Sequence, residues 1–454
     1  MKNVRIGCGS GYWGDALDPA IEIAEKGNVD YLGFDHLAEL TMAILHRQKT
    51  KDPTAGYIPD IVPWFEKLLP ICQKNGIKMI TNAGGSNPEA AGDAIAALCD
   101  RMDIHGLKLG IITGDDLTDK LDEIRASGVK LTNTDTGEED IDRVKDKIVA
   151  AYAYMGAEGI VDALGQGCDH VITGRVSDIS LYVGPMMHEF GWDFSEKYND
   201  RLGAAINASH VIECGCPCTG GNANMWKVSP KNWRIGFPIL DMNGNGDAVI
   251  SKVEGSGGMI NQWTIKEHLV YEVIDPNNYI MPDGIANFTT LKLEEIGKDK
   301  VKLTNMTGKG RPDMLKVCIG VDEGFMSEAM LIYPWPDAYE KVQRAELIFR
   351  KRLDMLGVKP EEIRFDYIGV NALHGATAPA PDPNINEIGL RIAVKTKTYA
   401  EADLVRRSAT HLWTFGPMGT ACGAPSKPRK VIGLWPTLVP REFVVPKLAI
   451  KEVR

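Results

Sequence analysis

Groups able to hold an anion or move a proton recur where short apolar runs end. They are Gly9 and Gly11 in GCGSGYWGD, Asn82, Gly84, Gly85 and Asn87 in TNAGGSNP, Asp116 in TGDD, and Thr173, Gly174, Arg175 and Asp178 in TGRVSD. The Arg175 guanidinium can offer a two-pronged fork to a planar carboxylate with Asp178 orienting it, or the two can form a structural ion pair. The Asn82 amide and the loop N–H groups stand before a proline-started helix, a geometry that suits a carboxylate or phosphate oxygen or serves as a helix cap. Of Asp115 and Asp116, one can cap the next helix while the other faces the cleft as a base or metal ligand, a role expected of Asp116. Farther on, Glu213 is a candidate general acid or base, and Thr219, Gly220 and Gly221 can present N–H groups to an enolate or oxyanion. Gly257 lies in GSGG, either a second donor-rich loop or a plain β-turn.

Other patterns carry less. Residues 9–14 satisfy GxGxxG, with Asp35 at the end of the next strand as a dinucleotide fingerprint requires. Asp18-Pro19, however, puts the helix start beyond the last glycine, away from where a pyrophosphate would sit. Cys214, Cys216 and Cys218 form CxCxC without a second Cys/His pair at zinc spacing. His36, His188 and His374 read as surface or capping residues. No GxSxG, HExxH, Walker A or EF-hand pattern is present.

These groups need a frame to bring them together. The runs VRIGC, YLGF, IKMIT, LKLGIIT and HVITG predict five parallel strands. Apolar residues at three- and four-residue spacing predict helices near 60–75, 88–102, 115–127 and 156–166. Five strand ends along one carboxyl edge are where an open α/β sheet binds small molecules. The fold class is therefore α/β, with a parallel βα-repeat domain over residues 1–195 followed by an α+β region over 196–454. In the second region NGNG predicts a hairpin turn, KEHLVYEV a helix, 284–332 antiparallel strands, YEKVQRAELIFRKRLDML an amphipathic helix, and IRFDYIGV and GLRIAVKTKT further strands.

The 454 residues carry a net charge of -10, with 44% hydrophobic and 25% charged residues and no basic run. That balance argues against a nucleic-acid or anionic-membrane partner. The chain opens directly into a strand and has no apolar run of membrane-span length, so a cytoplasmic location is expected. Nine cysteines, several inside apolar segments, read as reduced thiols.

Taken together, GCGSGYWGD, DPAIEIAEKGNVDYLGFDHLAE, TNAGGSNP, TGDD, AYMGAEGIVDAL, DHVITGRVSD, HEFGW, IECG with TGG, GFPI, GSGG, KEHLVYEVIDPNNYIMPD and VIGLWPTLVPRE resemble the acyclic terpene utilisation (AtuA-like) family. The similarity runs through nearly the whole chain. It implies a catabolic enzyme, since members accompany enzymes that degrade branched terpenoid acids as CoA thioesters. Cys216 and Cys218 stand where the family more often carries other residues.

One arginine, several acids and glycine-rich loops, without a nucleophile triad, point to a hydratase- or dehydratase-type lyase acting on a small carboxylic acid or acyl-CoA thioester. The expected roles are carboxylate binding by Arg175, proton transfer by Glu213 or Asp116, and charge stabilisation by Asn82 and the backbone at Gly220 and Gly221. No cofactor is firmly implied, and a divalent metal such as Mg or Mn would fit that chemistry. The alternatives are an NAD(P)-dependent oxidoreductase using the GxGxxG loop and a non-catalytic acyl-CoA- or carboxylate-binding subunit. A homo-oligomer is expected from apolar residues in LWPTLVP.

Overall fold

The computed structural model describes residues 2–423 and 425–453. Two compact units emerge, residues 1–320 with 434–454, and residues 321–433.

In the first unit all five apolar runs become strands: β1 (Asn3–Ser10), β2 (Tyr31–Phe34), β3 (Lys78–Thr81), β4 (Lys108–Thr113) and, after β5 (Ile148–Ala153), β6 (His170–Thr173). They lie parallel in the order β1-β2-β3-β6-β4. Helix α1 (Asp18–Lys26) follows β1, α2 (Glu39–Lys51) and α3 (Ile61–Asn75) follow β2, and α4 (Pro88–Arg101) follows β3. After α5 (Leu121–Ala126), α6 (Glu158–Gly165) leads into β6, and α7 (Ser180–Phe190) and α8 (Asn199–Ile212) leave it. Asn87 caps α4 by accepting the Ala90 N–H at 3.4 Å. Asp18 does not cap: it is the first residue of α1, where the fixed φ of Pro19 helps start the helix instead.

Close glycine contacts fix the layers. Gly92 of α4 abuts Ile111, and Gly159 of α6 abuts Ile112. Consecutive strand residues point to opposite faces, so α4 and α6 lie on opposite sides of the sheet. Helix α3 shares the core of α4, around Leu32, Phe34 and Met79, whereas α7 packs its Gly184 on Ile160 of α6. Neighbouring strands β3 and β6 therefore send their following helices, α4 and α7, to opposite faces. Their carboxyl ends form the switch point of the sheet.

The first unit does not end near 195. Strands β7 (Pro238–Asn243) and β8 (Ala248–Lys252) make the predicted NGNG hairpin, and β7 pairs antiparallel with β1. After α9 (Gln262–Leu269), β9 (Tyr279–Met281) and β10 (Gly284–Asn287), strands β11 (Lys292–Gly297) and β12 (Lys300–Thr304) continue the same sheet beyond β8. Strand β13 (Thr307–Lys309) joins β10 and β9 in a separate three-stranded sheet. The predicted helix over KEHLVYEV stops at Leu269, and Glu272 has a left-handed φ of 60°.

Strand β14 (Met314–Pro334) leads into the second unit, where α10 (Ala338–Met355), β15 (Glu362–Ile368), β16 (Glu387–Thr396), α11 (Tyr399–Phe415) and β17 (Ala421–Cys422) follow. The sheet order there is β15-β16-β14-β17, with Val342, Phe349 and Leu412 of the helices packed against Leu331, Leu390 and Val394. Strand β18 (Arg429–Pro440) returns the chain, and β19 (Lys447–Glu452) closes the ten-stranded sheet of the first unit against β4. Trp435, Thr437 and Val439 of LWPTLVP are buried within the chain, and the Trp435 indole donates to the Leu131 carbonyl at 2.8 Å. Most of the apolar tail offered as a subunit contact is therefore already used internally. Among the described residues no helix is long and apolar enough to cross a membrane.

Candidate functional site

The segments that follow β2, β4, β5 and β6 meet around Arg175. Arg175, first residue but one after β6, is only 2% exposed. Its Nη2 donates to Asp178 Oδ1 at 2.6 Å, its Nη1 to the Leu37 carbonyl, and its Cζ lies 4.0 Å from the centre of the Tyr154 ring. The Arg175 N–H donates to Asp115 Oδ2 at 2.6 Å. Both arms of the fork are thus held by the protein, and only Nε, buried, lacks a partner among the described residues. Burial works against this charge, but Asp178, Tyr154, Asp35 and Glu39 outweigh it and keep Arg175 protonated. The expected grip on a substrate carboxylate is corrected: Arg175 ties β6 to the segment after β2.

Asn82 is equally committed. Its Nδ2 donates to Asp35 Oδ1, and its Oδ1 accepts the His36 N–H at 2.8 Å. Burial, reinforced by Asp178 and opposed by Arg175, holds Asp35 well above the ordinary carboxylate range. This carboxyl at the end of β2, raised by its burial, is the residue that sequence reasoning weighed only as the acid of a dinucleotide fingerprint.

Glu213 caps α8 one turn after His210. The His210 Nε2 lies 3.2 Å from the His268 carbonyl, which can only accept, so Nε2 carries the hydrogen. Burial drops this imidazole to about 4, leaving Nδ1 a bare lone pair near neutral pH. Glu213 Oε1 faces that lone pair at 3.2 Å, with the Tyr279 hydroxyl 3.3 Å from the same nitrogen. An ionised carboxylate there would set lone pair against lone pair, so Glu213 and His210 together hold one proton. Burial, then Asp178 and Glu272, lift the Glu213 carboxyl well above its usual range against Arg175, so the proton rests on Glu213. Its Oε2 is buried and has no partner among the described residues. His268 stacks on His210 with ring centres 5.3 Å apart, and burial lowers its own pKa to about 3. The pair therefore sits in an uncharged aromatic wall.

The acidic pair after β4 divides its roles. Asp115 is buried, and burial raises its carboxyl to about 7 despite the Arg175 N–H. Asp116, expected to face the cleft, is exposed and accepts from Thr118 N at 3.0 Å and Thr118 Oγ1 at 2.6 Å. Its other oxygen is 3.3 Å from the Tyr152 hydroxyl, which also meets His46 Nδ1 at 2.8 Å and Ser86 Oγ at 2.5 Å.

The glycine loops fill with internal bonds. Gly85 N donates to the Asn82 carbonyl at 3.0 Å, Asn87 N to that of Gly84 at 2.9 Å, and the Asn87 amide to Pro53 and Ala55. Gly84 lies against the Thr173 carbonyl, and Gly174 N donates to the Ile112 carbonyl at 3.1 Å. Gly220 N and Gly221 N donate to the carbonyls of Pro217 and Cys216, at 3.1 and 2.9 Å. Thr219 Oγ1 donates to the Cys216 carbonyl, and Gly257 N to that of Arg234. At 85–87, 220–221 and 257, expected to form anion cradles, the amides are bonded within the protein, those of Gly85, Asn87, Gly220 and Gly221 in their own turns and those of Ser86 and Gly257 to the carbonyls of Gly56 and Arg234. Gly9 packs on the Phe34 ring and Gly11 on the Cys214 backbone, while Gly11 N donates to Asp15 Oδ2 at 2.9 Å. A carboxylate already occupies the amide that a pyrophosphate would need.

A family model described as acyclic terpene utilisation family protein AtuA matches residues 4–450. The chain belongs to that family. No curated protein and no solved structure matches it. Within this AtuA family chain, Arg175, Asp178 and Glu213 share one cluster with Asp35 and Asn82, and Asp116 stands apart. Among the described residues no group of three or more His, Cys, Asp or Glu is arranged to hold a metal ion. The eight cysteines with described side chains are free thiols. Of the residues that sequence reasoning missed, His210 had a usable signal: it stands three before Glu213, the spacing of facing side chains on a helix. Tyr279 and Tyr154 had none, because they arrive from separate strands.

Proposed function

We propose that the carboxyl edge around Asp35, Arg175 and Glu213 is the active site of a hydratase- or dehydratase-type lyase acting on a small carboxylic acid or acyl thioester. The observation that carries this reading is the 3.2 Å approach of Glu213 Oε1 to His210 Nδ1, beside a buried Glu213 Oε2 that has no partner among the described residues. A carboxylic acid kept neutral at the pH of the cell can give or take a proton at Oε2 while Oε1 exchanges its own with His210. That two-way transfer fits loss of a hydrogen next to an acyl carbonyl and protonation of a departing hydroxyl. Asp35, also held protonated by burial, supplies a second acid on the facing loop. Arg175 positions Asp178 and the segment after β2 and does not grip the substrate. A catabolic role inside the cell and a homo-oligomeric state belong to the same proposal, and family membership supports the first.

The test is hydrogen exchange with solvent. Short hydroxy and unsaturated acids, free and as thioesters, are incubated in deuterated water with and without Mg²⁺ or Mn²⁺, and deuterium next to the carbonyl is read by mass. Incorporation by the wild-type protein that falls about 10²–10⁴-fold in Glu213→Gln supports the reading. Equal incorporation by both proteins removes Glu213 from the chemistry.

A further inference from the structure

Exposed apolar side chains gather around helix α9. Trp226, Val228 and Trp233 stand out from the loop over 225–234, Trp263 and Val270 from the helix and its end, and Ile274 from the segment beyond. The three tryptophans are 58–86% exposed, the mark of a surface made to be covered. Charge on this surface is segregated by sign. Residues 222–238 carry Lys227, Lys231 and Arg234 and no acid, whereas 267–278 carry Glu267, Glu272 and Asp275 and no lysine or arginine. The basic loop lies at the amino end of α9: Gly257 N and Gly258 N, just before the helix, donate to the carbonyls of Arg234 and Pro230 at 2.7 and 2.6 Å, and the capping Asn261 donates to Met225 Sδ at 3.4 Å. The acidic segment runs on from the carboxyl end, at Leu269. Within one chain that order is unfavourable, because a helix dipole favours acids at its first turn and cations at its last. Most of these charges are also unspent. Arg234 pairs with Glu22 at 2.7 Å, but among the described residues no ion pair engages Lys227, Lys231, Glu272 or Asp275. Between the two ends, Trp263, Lys266 and Val270 make one exposed face of the helix.

We propose that this face is a two-fold contact with a second copy of the chain. A two-fold contact repeats one patch on both copies, so the patch must complement itself. A surface that is basic at one end and acidic at the other meets that condition. Two α9 helices laid antiparallel set the basic loop of each copy against the acidic segment of the other, so that both charge sets pair while the tryptophans leave water. The contact does not rest on the acid–base reading above, and it gives the proposed homo-oligomer its surface.

The experiment follows the full chain by sedimentation velocity over a concentration series and reads the dimer Kd. Lys227→Glu with Lys231→Glu sets acid against acid, and Glu272→Lys with Asp275→Lys sets cation against cation. Each double variant alone is expected to weaken the dimer at least about tenfold. Trp233→Ala, which leaves every charge in place, is expected to weaken it by a similar factor. An equimolar mixture of the two charge variants restores opposite signs at both ends and is expected to form a mixed dimer at close to the wild-type Kd, which also shows that both variants fold. A wild-type chain that stays monomeric throughout overturns the proposal and leaves the lyase reading standing. A dimer indifferent to all three variants overturns it as well, as does a mixture that stays monomeric. Monomeric wild type that sediments with phosphatidylserine vesicles overturns it in favour of an anionic lipid surface.

Discussion

Two charge networks in this chain use the same residue types to opposite ends. On the sheet of the second unit, Arg391 bonds Glu328 and, at 2.7 Å, Asp366; Arg364 takes the other Asp366 oxygen at 2.7 Å; and Lys395 holds Glu323 at 3.0 Å. Every acid there faces a cation, and water reaches most of them. Burial works to raise Asp366, but Arg364 and Arg391 outweigh it and pull the carboxyl below its usual range. At the carboxyl edge of the first unit, buried acids outnumber cations, and Asp35, Asp115 and Glu213 are all pushed upward. The first arrangement stabilises a sheet and has no proton to exchange near neutral pH. The second holds protons where a base or acid of ordinary pKa would not, which is the condition for moving them.

The contrast breaks most directly through paired substitutions. Glu213→Gln keeps the shape and, through its amide, the bond to His210 Nδ1, so its loss of about 10²–10⁴-fold in activity should come without unfolding. Asp366→Asn, the counterpart in the second unit, should leave activity unchanged. A comparable loss in both would mean that the two networks do not differ in function. Next in size is Arg175→Ala, which strands Asp178 without its buried cation and should cost about 3–5 kcal/mol in denaturant unfolding. Arg391→Ala, partly solvated, should cost about 1 kcal/mol or less. An Arg175 variant as stable as wild type would show that the guanidinium is not the tie described.

How much of this could be read from sequence differs with the physical signal. The five parallel strands were legible because each is a short apolar run ending in a polar loop, and α3, α4 and α10 because one face is apolar. Helices α7 and α8 were not, since Leu181 to Met187 and Leu202 to Ile212 are buried all round and show no stripe. The end of the first unit was illegible for another reason: β7 pairs with β1, and β19 with β4, across hundreds of residues. At the site, Arg175, Asp178 and Glu213 were found by residue type at strand and helix ends. What residue type does not reveal is whether a donor is free. The Gly85 and Gly220–Gly221 amides looked like cradles and turned out to close their own turns.

The two networks should also respond to pH with opposite sign. Asp115 keeps its proton up to about 7 when folded, against 3.8 for the ordinary side chain. Between those values the native protein binds a proton that the unfolded chain has released, so this residue's contribution to stability falls as pH rises through the window. Asp366 is depressed, so its contribution is present above the ordinary value and is lost as pH falls below it. Comparing denaturant midpoints at pH 5 and pH 8, Asp115→Asn should lose less stability on going to the higher pH than wild type does. Asp366→Asn should lie below wild type by a constant amount over that interval and converge on it only in acid. Parallel slopes for wild type and Asp115→Asn would show that Asp115 is already ionised in the folded protein.

The smallest expected effect is the most discriminating for the acidic pair after β4. Asp116 is exposed, and an asparagine keeps the Oδ1 that accepts from Thr118 N and Oγ1. Only the long contact of 3.3 Å from the Tyr152 hydroxyl to Oδ2 is altered, and Tyr152 retains Ser86 and His46. Asp116→Asn should therefore change stability by less than about 0.5 kcal/mol and leave solvent-hydrogen exchange at the wild-type rate. One residue earlier, the same change removes a buried titrating group that touches the Arg175 backbone. If Asp116→Asn abolished exchange while Asp115→Asn did not, the proton-moving acid would lie on the solvent side of the β4 loop. The contrast between a buried, proton-holding cluster and a solvated, charge-balanced one would then no longer locate the chemistry.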